Sequence, residues 1–247
     1  MSLIKHSTSK KSSKRPRTDS KNFRSIEADM AYNDCYKRVT ITMERVVRME
    51  TLENTAIPEV FKERTWTKLL NPSGNVYDEL IREFFSNATV EGDHINCWVG
   101  QKEFTITRDS IQEFLEVRPH YDDILDSLEP MVELVGGSLK KKSMNIIIFN
   151  VEMRTLAYVM IHNLYPVTNL TTLSEPRTIF LYNLYTHKEI DICGHIYHLL
   201  TKSITKRNSR KILPFPTLIM GFTTKTNLKI PGGLTMVQET IPLVPIP

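Results

Sequence analysis

The sequence predicts a mainly α-helical protein: a helical domain carrying a small β-hairpin, preceded by a disordered basic arm. Three observations lead there. Apolar residues recur at helical spacing in several segments between Val76 and Ile204. One stretch, from His94 to Thr107, instead alternates with a strand's period around a glycine turn. The N-terminal stretch carries cations with no apolar period at all.

The arm comes first. Residues 1–24 hold eight cations (Lys5, Lys10, Lys11, Lys14, Arg15, Arg17, Lys21, Arg24) against Asp19, a net +7 within a chain whose total is +4, so the rest stands at −3. Basicity is therefore a property of the arm, and only the arm has a global electrostatic reason to meet a polyanion. Ser7 to Lys21 cannot bury enough surface to offset its ordering entropy. Lys10, Lys11, Lys14, Arg15 and Arg17 form a candidate nuclear import signal. The expected division is a disordered basic arm over 1–28, a lead-in over 29–57, the helical domain over 58–226 and an extended Pro-containing tail over 227–247.

Within the domain, Pro58 suits the first turn of a helix that carries Val60 and Phe61, with Trp66, Leu69 and Leu70 following before Asn71-Pro72-Ser73-Gly74 breaks the run. Val76, Tyr77, Leu80, Ile81, Phe84 and Phe85 make one wide apolar stripe, the signature of a core helix. The hairpin puts Ile95, Cys97, Val99, Phe104 and Ile106 around Gly100-Gln101-Lys102, with Trp98 on the other side. Thr107 then caps a helix over Arg108 to Leu115, with Asp109 near its positive end and Ile111, Phe114 and Leu115 turned inward.

His120 to Ser143 reads as a connector with short helices, holding Gly136-Gly137 and then Lys140-Lys141-Lys142. Beyond it, Ile148, Val151, Leu156, Val159, Met160 and Leu164 mark a helix ending before Pro166. Ser174 and Pro176 start the next, and Ile192, Ile196, Leu199, Leu200 and Ile204 line one face of a third. A short helix begins near Pro216.

Function classes narrow quickly. MNIIIF, Met144 to Phe149, falls far short of the ~20 apolar residues of a spanning helix, so no membrane residence is expected, and an intracellular protein is. Cys35, Cys97 and Cys193 form no C-x-x-C pair, and structural disulfides are not expected. His195 and His198 are spaced to share a helix face, yet Cys193 points elsewhere, and His94 and Cys97 would have to complete a metal site. No phosphate loop, nucleophile elbow or carboxylate triad on a sheet is present in the pattern. The reading assigns no catalytic, cofactor-binding or metal residue, no cofactor and no small-molecule substrate. Lys202, Lys206, Arg207, Arg210 and Lys211 are candidate nucleic-acid contacts.

Several segments together resemble a known family, the putative plant transposon protein domain of plant retrotransposon-related chains. They are Trp66 with Leu70; Val76-Tyr77 before Leu80-Ile81-Arg82-Glu83-Phe84-Phe85-Ser86-Asn87; the Val99-Gly100-Gln101-Lys102 turn before Ile111 and Leu115; Pro166-Val167-Thr168-Asn169; Arg177-Thr178-Ile179; Glu189-Ile190-Asp191-Ile192; and Leu213-Pro214-Phe215-Pro216 with Leu218-Ile219. Trp98-Val99-Gly100 departs from the family's V-R-G, so no role for that arginine carries over. The layout is distantly similar to the plant mobile domain. The resemblance implies retroelement origin and no transferable catalytic residues. The expected function is a non-enzymatic interaction or structural module with an unidentified protein partner, nuclear if the arm acts as an import signal. The alternative is a sequence-independent nucleic-acid-binding protein that uses the arm and the Lys202 to Lys211 cluster.

Overall fold

Helices in this chain are mostly too short to be stable alone, so their apolar faces have to meet in one core. The computed structural model describes residues 22–118, 143–207 and 212–237. They form a mainly helical body with small sheets. The arm's basic run lies outside the described residues, as do the connector up to Lys142 and the last ten residues.

Helix α1 (Ile26–Ala31) starts on Ser25, whose hydroxyl accepts from the Ala28 amide, and runs on through a wider turn, Tyr32–Tyr36. Strand β1 (Thr40–Ile41) follows, then a 3₁₀ turn at Met49–Leu52, α2 (Ile57–Glu63) and α3 (Thr67–Leu70). Segment 29–57 thus contributes Tyr36, Val47, Leu52 and Ile57 to the core.

Helix α4 (Asp78–Asn87) is the apolar stripe foreseen, with Leu80, Ile81, Phe84 and Phe85 buried and the two phenyl rings edge to face at 5.0 Å. It packs on β3 (His94–Val99), whose inward residues Ile95, Cys97 and Val99 are buried in strict alternation. Strand β4 (Lys102–Thr107) completes the expected hairpin, and β2 (Thr89–Glu91) adds an unexpected third antiparallel strand, Thr89 opposite Asn96. The reversal at Gly100-Gln101 places both residues in the left-handed region, as a two-residue hairpin turn requires. Helix α5 (Arg108–Leu115) is capped by Thr107, which accepts from the Ser110 amide while Ser110 reciprocates.

After β5 (Ser143–Asn145), the chain departs from the periodicity reading. Helix α6 starts only at Val151 (Val151–Val159), because Asn150 caps it by accepting from the Met153 amide. Ile147, Ile148 and Val151 are exposed as a result, 69%, 53% and 58%. The expected Leu156, Val159, Met160 and Leu164 are buried, and Met153 takes the place of Ile148 and Val151 on the inward face. The helix closes through a wider turn, Met160–Leu164, and β6 (Thr172–Ser174) pairs antiparallel with β5.

Helix α7 (Glu175–Tyr185) and α8 (Ile192–Thr205) follow, the latter capped by Asp191 through the Gly194 amide and packed on α5. Strand β7 (Ile212–Leu213) then pairs in parallel with β1, Thr40 opposite Ile212, joining the two ends of the described chain. Tyr36, fully buried, donates its hydroxyl to the Ser203 carbonyl at 3.0 Å beside that junction. Helix α9 (Pro216–Lys225) packs on α4, and its Gly221 lies against the ring of Phe114 from α5, which stacks on Phe222 at 5.0 Å.

Candidate functional site

The groups singled out from the sequence are dispersed. Lys10, Lys11, Lys14, Arg15, Arg17, Arg210 and Lys211 lie outside the described residues. Lys202 is half-buried on the last turns of α8, Lys206 is exposed just beyond, and the Arg207 Nε donates to the Ile204 carbonyl at 3.3 Å. The thiol and imidazole groups point apart. Cys193 is buried near Asp191, and burial followed by that carboxylate pushes its thiol up to about 12. His195 lies between Tyr165 and Phe180, 4.4 and 4.7 Å between ring centres, and burial lowers it to about 3. His94 meets only the exposed Asp93. Among the described residues no three His, Cys, Asp or Glu side chains gather around one point.

Two concavities carry more chemistry. The first has a volume of about 590 Å³ and lies between α3, α5 and the start of α9. Its inner wall holds Glu44, which is buried and accepts from the Thr217 amide at 3.2 Å and hydroxyl at 2.9 Å. Burial raises the Glu44 carboxyl, and these bonds work against that rise. The carboxylate thus serves as a long-range cap for α9, whose N-cap residue Phe215 has left-handed backbone and no side-chain oxygen to offer. Asn163, fully buried, spans the same wall: its amide donates to the Arg45 and Leu69 carbonyls, both at 2.7 Å, and its oxygen accepts from the Arg45 amide. Lys68, Lys225, Glu113 and Glu116 lie around the apolar remainder, with Lys68 and Glu116 ion-paired at 2.7 Å.

The second is a cleft of about 470 Å³ where the Tyr165–Asn169 loop, the β5–β6 pair, the start of α7, the end of α8 and β7 converge. Arg177 stands in it. One of its terminal nitrogens donates to the Ser174 hydroxyl at 3.1 Å, and its plane sits 4.5 Å over the Tyr165 ring. Its Nε is buried without an acceptor, and the guanidinium forms no ion pair with any described residue. Arg82 and Arg108 are matched, with Asp78 and with Asp191 at 2.9 Å, whereas Arg45, Arg64 and Arg154 share with Arg177 a buried Nε that lacks an acceptor. Burial lowers the Arg177 pKa, and no carboxylate acts to restore it. Lys202, Ser143, Thr168, Thr172 and Ser174 also line the cleft, and among the described residues no acidic one does.

Sequence reasoning quoted Arg177 only within a family segment and passed over Glu44 and Asn163. For Arg177 a local signal existed: it occupies the first turn of a helix, where the dipole disfavours a cation. Glu44 and Asn163 had no such signal, since their partners are 173 and 118 residues away at Thr217 and Arg45.

Comparison with known proteins supplies one match. The model of the Putative plant retrotransposon-related domain matches residues 62–227, about two thirds of the 247 residues. Searches of curated proteins and of solved structures gave no match.

Proposed function

The chain belongs to the plant retrotransposon-related domain family, and on that premise we propose that it works as a non-enzymatic structural and interaction module, brought into the nucleus by its basic arm acting as an import signal. The observation that carries this reading is the use made of Glu44. The ionisable group set deepest in the larger cavity is engaged in capping α9, and the neighbouring amide of Asn163 is engaged in tying backbone carbonyls. The hydroxyl that Glu44 meets, that of Thr217, is held together with the Thr217 amide in the first turn of α9, and the Asn163 amide meets backbone groups. Purified protein given single- or double-stranded nucleic acid with magnesium or manganese is expected to leave it intact. Cleavage abolished by Glu44→Gln in a folded variant would overturn the reading.

Import has a separate test. A large fluorescent fusion without Lys10 to Arg17 should lose nuclear enrichment, and an unchanged distribution would remove the signal.

A second reading, sequence-independent nucleic-acid binding, is favoured by the cleft of Arg177 and Lys202, which no acid lines among the described residues, together with the basic arm. Binding should fall steeply with salt and weaken when residues 1–24 are deleted. A recovery experiment from plant nuclear extract that collects nucleic acid alongside protein discriminates the two.

A further inference from the structure

We infer that the cavity of about 590 Å³ between α3, α5 and the start of α9 binds a small organic cation, a primary ammonium on an apolar body, with Glu44 receiving the ammonium. Such a ligand is held and not turned over, so the non-enzymatic reading above stands beside it.

The charge around the cavity is unbalanced. Three carboxylates, Glu44, Glu113 and Glu116, line it against two lysines, Lys68 and Lys225, and both lysines are engaged elsewhere. Lys68 pairs with Glu116 at 2.7 Å and donates to the Phe114 carbonyl at 3.2 Å. Lys225 stands 5.0 Å from the centre of the Phe114 ring, at the opposite end of α9 from Thr217, with about 12 Å of helix between the two. Glu44 is only 9% exposed and forms an ion pair with no described cation. Burial is the first cause of its raised pKa, and hydrogen bonds alone act against it. A carboxylate enclosed in this way is stabilised by a cation that displaces none of its existing bonds. Both bonds from Thr217 end on Oε2, and a carboxylate has about four lone-pair positions, so capping α9 leaves acceptor capacity for a ligand.

Size and walls select the rest of the ligand. The volume falls within the roughly 300 to 1,000 Å³ of small-molecule sites. Leu69, Leu115, Ile196, Phe215 and Leu218 supply apolar lining. Asn163, the neutral polar side chain on the inner wall, is already bonded to the Arg45 and Leu69 backbone. An apolar body with its one charge at Glu44 therefore fits, and an anion meets an excess of negative charge. Glu83, the other buried carboxylate among the described residues, also borders a cavity. There Glu79 and Glu83 stand against Lys102 and Lys229, an even balance that calls for no cation.

The test uses the full chain and three probes that share a phenyl body, 2-phenylethylamine, 2-phenylethanol and phenylacetate, titrated calorimetrically near neutral pH. The amine is expected to bind with a Kd of about 1 mM or below, and the alcohol and the acid about tenfold more weakly or less. Glu44→Gln keeps an acceptor for Thr217 and removes the charge, and should weaken amine binding about tenfold. Its thermal melt checks that the fold survives. If Glu44→Gln does not fold, Ser73→Trp takes its place with the same expectation, because it adds bulk at an exposed position of the cavity lining. No amine binding by the unaltered chain, equal binding of the three probes, or undiminished amine binding by the folded variant would each overturn the inference. Those outcomes leave the module reading standing, whereas chemical conversion of the amine would remove that reading.

Discussion

Glu83 is a carboxylate inside the fold, 5% exposed, where its Oε1 accepts from the Gly100 amide at 2.8 Å and thereby ties α4 to the hairpin turn. Burial raises its pKa to about 7, above the usual 4.5. Between those values the folded state holds a proton that the unfolded chain releases, so stability falls as pH rises through the window and is lowest above it. Glu83→Gln keeps an acceptor for Gly100 and removes the charge. It should leave stability near pH 4 unchanged and raise it above pH 7 by about 2 to 3 kcal/mol, read from denaturant midpoints across pH. His195 works in the opposite sense. Its folded value of about 3, set by burial and then by His198, keeps it neutral in the core while the unfolded imidazole takes a proton near 6.5. Stability is therefore lost as pH falls from about 6.5 toward 3. His195→Phe, which preserves the contact with Tyr165 and Phe180, should reduce that acid sensitivity in thermal melts, with a small effect at pH 7. Neither group was legible in the sequence. Glu83 read as a charge outside the α4 stripe, and only the return of the hairpin over α4 encloses it.

At the level of elements, the helices and strands that could be read are those whose period is uninterrupted. The α4 stripe, the β3 alternation and the Thr107 cap each carry their information within a dozen residues. The run at Ile146–Ile148 misleads because three apolar residues in a row fit any period, and Asn150, a local capping signal, delays the helix past them. Strands β1 and β7 are two residues each, too short for alternation, and are defined by each other. The meeting of Phe114 with Gly221 is likewise a tertiary fact. A methyl group on Gly221 would collide with the Phe114 ring end, so Gly221→Ala sets a helix-propensity gain of about 1 kcal/mol against overpacking of about 1 to 3 kcal/mol. The ring is held by Phe222 and by Lys225, 5.0 Å from its centre, so it has little room to yield. The variant should melt lower than the parent, and Gly221→Ala combined with Phe114→Leu should recover part of the loss.

On the scale of the whole molecule, the family match and the cooperative unit differ in extent. The match starts at residue 62, whereas Tyr36, Glu44, Arg45 and Val47 all make contacts that the later chain needs. Val47 donates to the Leu70 carbonyl at 2.8 Å, Glu44 caps α9, and Tyr36 reaches Ser203. At the other end Asp78 donates to the Thr235 carbonyl and Val237 to the Val76 carbonyl. A fragment of residues 58–226, the domain outlined from periodicity, should therefore lack a sharp thermal transition, while residues 22–237 should show one; circular dichroism melts of both decide it. The limit at residue 58 followed the first helical spacing after Pro58, whereas long-range hydrogen bonds begin at Asn22 and Arg24, both of which meet the Asn87 side chain.

The parallel pairing of Thr40 with Ile212 has a temporal side. On a translating ribosome strand β1 emerges well before its partner is made, and Tyr36, which meets Phe85 of α4 early, gains the Ser203 carbonyl only much later. Closure of that pair thus waits until residue 212 has been made, a span of chain that makes it a slow, late-forming contact.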